Sequence, residues 1–272
     1  MTNSQEADNI IDLTPIEEHG GFLVKRDDYF RIGGGCGGKV RTCWKLAQGA
    51  KGLVTAGSRA SPQVNIVAQI ARKLKIPCRV HTPQGVLSPE VLMAQEAGAE
   101  VVQHRAGYNN VIIARARDDA QDRGWTNIPF GMECDDAVIE TSRQVENIPK
   151  NIKRIIMPVG SGMSLAGITH GLKNYGLNDI KILGIIVGAD PIKRLDKYAV
   201  SNWRKIVKLV KSDLPYHKEA GDIYLGDLVL DPIYEAKCLP FLEKNDLFWI
   251  VGLRASVKLN EVLETYEYDA RL

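Results

Sequence analysis

The stretch TPIEEHGGFLVKRDDYFRIGGGCGGKVR, residues Thr14 to Arg41, decides how this chain is read. It joins an extended entry, the charged cluster Lys25-Arg26-Asp27-Asp28, a glycine-rich turn and then one lysine, Lys39. Crowded glycines let backbone approach a ligand closely, and a lysine closing such a turn is placed to meet that ligand. Two chemistries ask for this arrangement: phosphate binding by a P-loop, and a Schiff base to an aldehyde cofactor. Gly33-x-x-x-x-Gly38-Lys39 satisfies most of the P-loop pattern. Val40, however, stands where a Ser or Thr should hold Mg²⁺, and residues 26–32 are charged and aromatic, unlike a buried parallel strand.

Length and composition bound the rest. With 272 residues the chain is long enough for one large domain or two modest ones. It has no apolar run long enough to span a bilayer, and residues 1–12 are polar with no signal-peptide core. Five dispersed cysteines (Cys36, Cys43, Cys78, Cys134, Cys238) form no CxxC pair, which predicts reduced thiols and a cytoplasmic setting. A net charge of +2 does not announce a nucleic-acid binder.

Short apolar runs alternate with helical patterns. Strands are expected at residues 52–56, 78–81, 101–102, 154–159, 182–187 and 247–251. Helices are expected at 62–74, 89–97, 110–121, 137–145 and 165–175. Strands separated by helices predict βαβ units and a mainly parallel sheet. No internal repeat or low-complexity linker is visible.

Three further motifs carry chemistry. Ser61-Pro62-Gln63 lies between a strand and a helix, where backbone N–H groups and the positive helix end meet an anion. Ser61 as N-cap with Pro62 at N1 is a favoured helix start, and capping is compatible with anion binding at the same end. Gly160-Ser161-Gly162-Met163-Ser164 follows the strand 155–159 and opens a helix, making a nest of N–H groups for a phosphate. The rival dinucleotide fingerprint would place its third glycine at Leu165. Leu230-Asp-Pro-Ile-Tyr234-Glu235-Ala-Lys237 puts a carboxylate after a turn, where an ordinary surface glutamate is the plain alternative to a functional one.

Together these stretches resemble fold-type-II, tryptophan synthase β-like, pyridoxal-phosphate (PLP) enzymes, closest to the 1-aminocyclopropane-1-carboxylate deaminase and D-cysteine desulfhydrase branch. The Thr14-Pro15 pair, the charged cluster and the GGKVR end match that group's opening, and Gly160–Ser164 is similar to its phosphate cup. The 230–237 stretch matches almost residue for residue. The resemblance implies an α/β fold of two parallel-sheet lobes with PLP between them. The large lobe would be 1–46 plus 147–272, and the small inserted lobe 47–146. It implies Lys39 as the Schiff-base lysine and proton carrier. Gly160, Ser161, Gly162, Met163 and Ser164 would bind the phosphate, Glu235 the pyridine nitrogen, and Ser61 and Gln63 the substrate carboxylate. Tyr234 would lie over the substrate. The implied activity is a lyase or deaminase step on a small amino acid through an external aldimine and a carbanion, in a cytoplasmic homodimer.

The sequence also departs from the family. Gly38 replaces an Asn beside the lysine, Pro62 replaces the Asn that contacts the cofactor's phenolic oxygen, and Gly252 replaces a His. Asn65, one helical turn after Pro62, is expected to take over the lost contact, directly or through a water. The segment 190–228 is shorter than in the deaminase and rich in Lys and Arg. Trp203, Ile206, Val207 and Val210 fit one face of a helix, with Arg204, Lys205, Lys208 and Lys211 on the other. A solvated face accounts for the basic stretch 193–211, and a surface positioning a nucleic acid is the alternative. Two other readings follow. One is action on an amino-acid group attached to nucleic acid, as in DNA hypermodification. The other is PLP binding without turnover.

Overall fold

The entry segment folds back on itself. Strands β1 (Ile16–His19) and β2 (Phe22–Arg26) pair antiparallel around Gly20 and Gly21. The computed structural model describes residues 8–59, 61–105 and 109–254. These fall into two units. One contains Ile11–Phe30 and Glu133–Leu253, the other Arg31–Met132 with residues 8–10 and 254.

The chain passes from β2 into the second of these units. A two-rung hairpin, β3 (Arg31–Ile32) and β4 (Gly35–Cys36), leads into α1 (Gly38–Leu46). Then come β5 (Leu53–Ala56), α2 (Gln63–Leu74), β6 (Cys78–Pro83), α3 (Pro89–Glu96), β7 (Glu100–His104), α4 (Asn109–Arg123) and β8 (Thr126–Ile128). The strands make a four-stranded parallel sheet, β7-β6-β5-β8. β5 is buried along its whole length, which is why it reads as a short continuous apolar run. Ser88 starts α3 as a side-chain cap, accepting from Val91 N at 3.4 Å, with Pro89 in the first turn.

This sheet carries a directional chain of polar groups. Arg115 Nη1 lies 2.9 Å from His104 Nδ1 and can only donate, so that nitrogen carries no proton. His104 Nε2–H therefore donates to His81 Nδ1 at 2.8 Å, and His81 Nε2–H donates to Asp119 at 2.9 Å. Both imidazoles are neutral in this arrangement, and burial lowers the pKa of each. A histidine with a lowered folded value takes up its proton first in the unfolded chain. Stability is therefore full above the ordinary value of about 6.5 and declines as pH falls below it. Urea unfolding at pH 7.5 and 5.5 checks this: the midpoint falls on acidification, and His104→Gln flattens the fall. An equal fall in both proteins would assign the acid sensitivity elsewhere.

After β8 the chain returns to the first unit. It forms α5 (Asp135–Arg143), β9 (Arg154–Val159), α6 (Met163–Asn174), β10 (Lys181–Ile186), α7 (Ile192–Tyr198), α8 (Trp203–Ile206) and β11 (Val207–Lys211). The small hairpin β12 (Tyr224–Leu225) and β13 (Leu228–Val229) and the strand β14 (Asp246–Ile250) complete it. The sheet order is β1-β2-β14-β9-β10-β11, parallel from β2 onward. Side-chain alternation builds a core on each face. Ile155, Met157, Leu247 and Trp249 join the core with α6, and Ile156, Phe248 and Ile250 join the opposite one.

The charged cluster after β2 is a buried polar lock. Lys25 Nζ, fully buried, donates to Thr14 O at 2.6 Å and Asn147 Oδ1 at 2.8 Å. Arg26 forms a two-pronged pair with Asp28 at 2.9 and 2.7 Å, and Asp27 accepts from Trp249 Nε1 at 3.2 Å. Buried charges persist when paired in this way.

α5 and α6 pack through glycines. A Cβ on Gly171 would lie 2.3 Å from Val145 Cγ2 and 2.6 Å from Ser142 O, and one on Gly167 2.5 Å from Thr141 Cβ. Since backbone cannot step aside, Gly171→Ala costs about 1–3 kcal/mol. A lowered thermal midpoint checks this, and an unchanged one contradicts the close packing.

Two expectations are corrected here. The expected lobes differ from the observed units mainly at residues 31–46 and 133–146. α1 packs on α2 and on Phe130–Met132, so the Lys39 helix sits with the four-stranded sheet; α5 packs along α6 and belongs with the six-stranded one. The helix expected over 203–211 stops at Ile206, and 207–211 is the edge strand β11, because pairing with β10 overrides the helical pattern.

Candidate active site

In the six-stranded unit the site grows from the end of β9. Its chain turns through Gly160-Ser161-Gly162 into α6, whose N-cap, Gly162, lies at φ 90° with no side-chain cap. The first N–H groups of a helix have no partner within it, so this uncapped end presents donors and a positive dipole to an anion. Gly160 is required by a neighbour: a Cβ there would lie 2.9 Å from Tyr234 Cε1 and 3.0 Å from its hydroxyl. The structure thus brings Tyr234 against the turn.

Tyr234 and Glu235 owe their positions to the turn before them. Asp231 Oδ1 accepts from Ile233 N at 2.9 Å and Tyr234 N at 3.0 Å, with Pro232 between, the geometry an Asp-Pro start favours. Tyr216 meets the Tyr234 ring edge-on with centroids 6.0 Å apart. Lys237 Nζ, buried, holds the backbone before it by donating to Pro215 O at 2.7 Å and Tyr216 O at 3.1 Å. Sequence reasoning missed both residues as supports. Lys237 was visible inside the matched stretch, whereas Tyr216 sits in the divergent one.

Glu235 is fully buried. Its Oε1 accepts from Val251 N at 3.0 Å and Gly252 N at 3.3 Å, just beyond β14. The contact at Gly252 is made by backbone, so the family's His is not needed to hold this carboxyl. Oε2 is buried with no hydrogen-bond partner among the described residues. Burial, reinforced by the negative charge of Asp231, pushes the acid well above the usual carboxylate range. With Oε1 accepting two N–H groups, Oε2 is the oxygen left to meet a ligand.

In the four-stranded unit, Gly37 caps α1 at φ 101°, a conformation that favours glycine, and Lys39 follows on the first turn, half-buried. Ser61 Oγ accepts from Gln63 N at 3.3 Å, so it caps the start of α2 with Pro62 next. Gln63 departs from its expected role of binding the substrate carboxylate. Its Nε2 donates to Thr55 Oγ1 and Pro129 O, both at 2.9 Å, and its Oε1 accepts from Gly131 N at 2.9 Å. That amide uses both its N–H groups and one lone pair of its oxygen as a clamp across the sheet's end. Asn65 lies on the same helix. Its side chain is buried toward α3, with Nδ2 4.0 Å from Met93 Sδ and Oδ1 accepting from Gln69 Nε2 at 3.0 Å.

All five cysteines are free thiols. Burial pushes Cys78 up to about 12 and Cys43 and Cys238 upward as well, which keeps them from serving as thiolate nucleophiles. Among the described residues no cluster suits a metal ion, and no helix is long and apolar enough to cross a membrane.

The family described as "Pyridoxal-phosphate dependent enzyme" matches residues 10–222, a span that includes Lys39, Ser61 and Gly160–Ser164 and ends before Tyr234. The chain belongs to this family. Solved structures agree on the fold of this PLP-dependent enzyme. An ACC deaminase homologue is 22% identical over 96% of both chains, with a TM-score of 0.76. Threonine deaminase isoform 2 from Solanum lycopersicum is 17% identical over 94% of this chain and 83% of its own, with a TM-score of 0.64. Serine racemase from Dictyostelium discoideum is 14% identical over 90% and 93%, also at 0.64. No curated protein matches the sequence. The cofactor fits the residues present. The uncapped turn suits a phosphate, the orphaned Oε2 of Glu235 suits a heterocyclic nitrogen, and Lys39 suits an aldehyde.

Proposed function

We propose that the enzyme is a lyase of the deaminase type acting on a small amino acid. The observation that carries this reading is Glu235, a fully buried acid with one oxygen fixed by two backbone N–H groups and the other buried without a hydrogen-bond partner among the described residues. Bound PLP supplies an aldehyde that captures amines and a ring that accepts electrons released at the α carbon, more strongly when its nitrogen shares a proton. Glu235 Oε2 would meet the ring nitrogen and share a proton with it. Lys39 would hold the aldehyde through its Nζ and would move a proton at the substrate's α carbon. The Gly160–Ser164 N–H groups bind the phosphate, and the N-terminal end of α2 with Ser61 binds the substrate carboxylate. The Tyr234 hydroxyl serves as proton donor or acceptor at the substrate.

A panel of free amino acids tests this, read by shifts of the cofactor absorbance and by release of ammonia and a keto acid. Spectral shift with ammonia release supports the proposal. A shift with no product across the panel refutes turnover of free amino acids, and absence of any shift refutes free amino acids as ligands.

A Ser61→Ala variant checks the carboxylate role. Removing one neutral donor costs about 0.5–1.5 kcal/mol, so KM for the amino acid rises several-fold, while an unchanged KM removes Ser61 from that role.

A further inference from the structure

A second cleft in the six-stranded unit lies at the beginnings of its parallel strands, away from the Gly160–Ser164 turn. Arg154 starts β9, Lys181 starts β10 and Val207 starts β11, and all three line a cavity of about 700 Å³. The turn lies at the other end of β9, six residues on, a separation of roughly 20 Å at about 3.3 Å per residue.

The lining is mixed in a specific way. Five cationic side chains face one carboxylate, Glu243, across a cavity that Ile182, Ile206, Val210 and Phe241 also line. Two of the cations are neutralised. Arg154 pairs with Asp246 at 2.7 Å and Glu243 at 3.1 Å, and Arg204 pairs with Asp196. Lys181, Lys205 and Lys208 are exposed and have no ion pair among the described residues. They come from three separate elements, β10, α8 and β11, yet converge on one cavity. Lys181 Nζ is itself turned toward α8, 3.5 Å from Lys205 O.

A cavity of this size holds a small ligand. Three unpaired ammonium groups beside an apolar wall complement an anion of multiple charge attached to a flat apolar body. We propose that this cleft binds a nucleoside phosphate, with its phosphates on Lys181, Lys205 and Lys208 and its base against the apolar wall that includes Phe241. The ligand is either a free nucleotide or a nucleotide unit of a single strand.

Titrating the PLP-loaded protein with labelled ATP, with decathymidylate and with pyrophosphate tests this by anisotropy or calorimetry. The expected result is saturable binding of ATP or decathymidylate that weakens with salt. Lys208→Glu lowers the affinity about tenfold and reduces the salt slope by roughly 1. Lys51→Glu, an exposed lysine of the other unit carrying the same charge change, leaves both unaltered. Tighter binding of ATP assigns the free nucleotide, and tighter binding of decathymidylate assigns the strand. Equal loss in the two variants, binding of pyrophosphate as tight as that of ATP, or no binding of any probe at millimolar concentration overturns the proposal. The cofactor absorbance, unchanged in Lys208→Glu, keeps this outcome separate from that of the catalytic reading.

Discussion

Lys39→Ala abolishes borohydride trapping of the cofactor and lowers turnover by about 10²–10⁴-fold, the range lost when a positioned proton carrier is removed. The lysine follows Gly37, whose φ of 101° turns the chain into α1. Among the described residues of the matched span, no other lysine stands on the first turn of a helix opened by such a glycine. On the proposed reading the backbone groups at the start of α6 hold the phosphate, so the variant is expected to retain the cofactor non-covalently and to release it on dialysis more readily than the parent. Mass spectrometry after reduction decides the matter. A covalent adduct at undiminished yield in the variant would show that another amine is the attachment point.

Glu235→Gln is expected to lower turnover by tenfold or more. A charge-assisted hydrogen bond is worth about 1.5–3 kcal/mol, and each 1.36 kcal/mol of barrier is about tenfold in rate. Gln keeps the volume and an acceptor for Val251 N and Gly252 N, so the fold and cofactor affinity persist. A second readout separates the proton from mere packing. The folded pKa of Glu235 is raised, so the folded apoprotein binds the proton more tightly than the unfolded chain does. Its contribution is complete below the ordinary value near 4.5 and is lost as pH rises toward the raised one. Glu235→Gln therefore stabilises the apoprotein more at pH 8 than at pH 5. Equal effects at the two pH values, together with an unaltered rate, would rule out the role assigned to this acid.

The parts of the fold legible in the sequence were those where one local signal governs. β5, β9 and β10 read as strands because parallel strands covered on both faces are mostly apolar, and α2 and α6 followed from turn residues and helical spacing. The turns before Lys39 and at Gly160 were legible for the same reason, since neighbours in sequence set their geometry.

Partners distant in the chain were not legible. Gln63 looked like a ligand-binding amide until Thr55, Pro129 and Gly131 took up its three hydrogen-bonding positions. Asn65 shares a face with Pro62 by spacing, yet Gln69 and Met93 set its side chain. The apolar spacing at 203, 206, 207 and 210 fits a helix as well as a helical turn followed by a strand, and β10 makes the choice. The burial of Lys25 to Asp28 was not legible either, because Asn147 and Trp249, which bond Lys25 and Asp27, lie far along the chain.

The position of β14 bears on how the chain is made. This last strand lies between β2 and β9, so Trp249 pairs with Lys25 across most of the sequence. On the ribosome, every strand of the four-stranded sheet is available once residue 128 leaves the exit tunnel, and that unit can consolidate early. The six-stranded sheet has a gap at its centre until residue 250 leaves the exit tunnel, and β2 and β9 meanwhile expose unpaired edges. A nascent chain stalled short of Asp246 therefore presents a half-built sheet to chaperones and proteases, while one released a few residues past Ile250 has the strand that closes it.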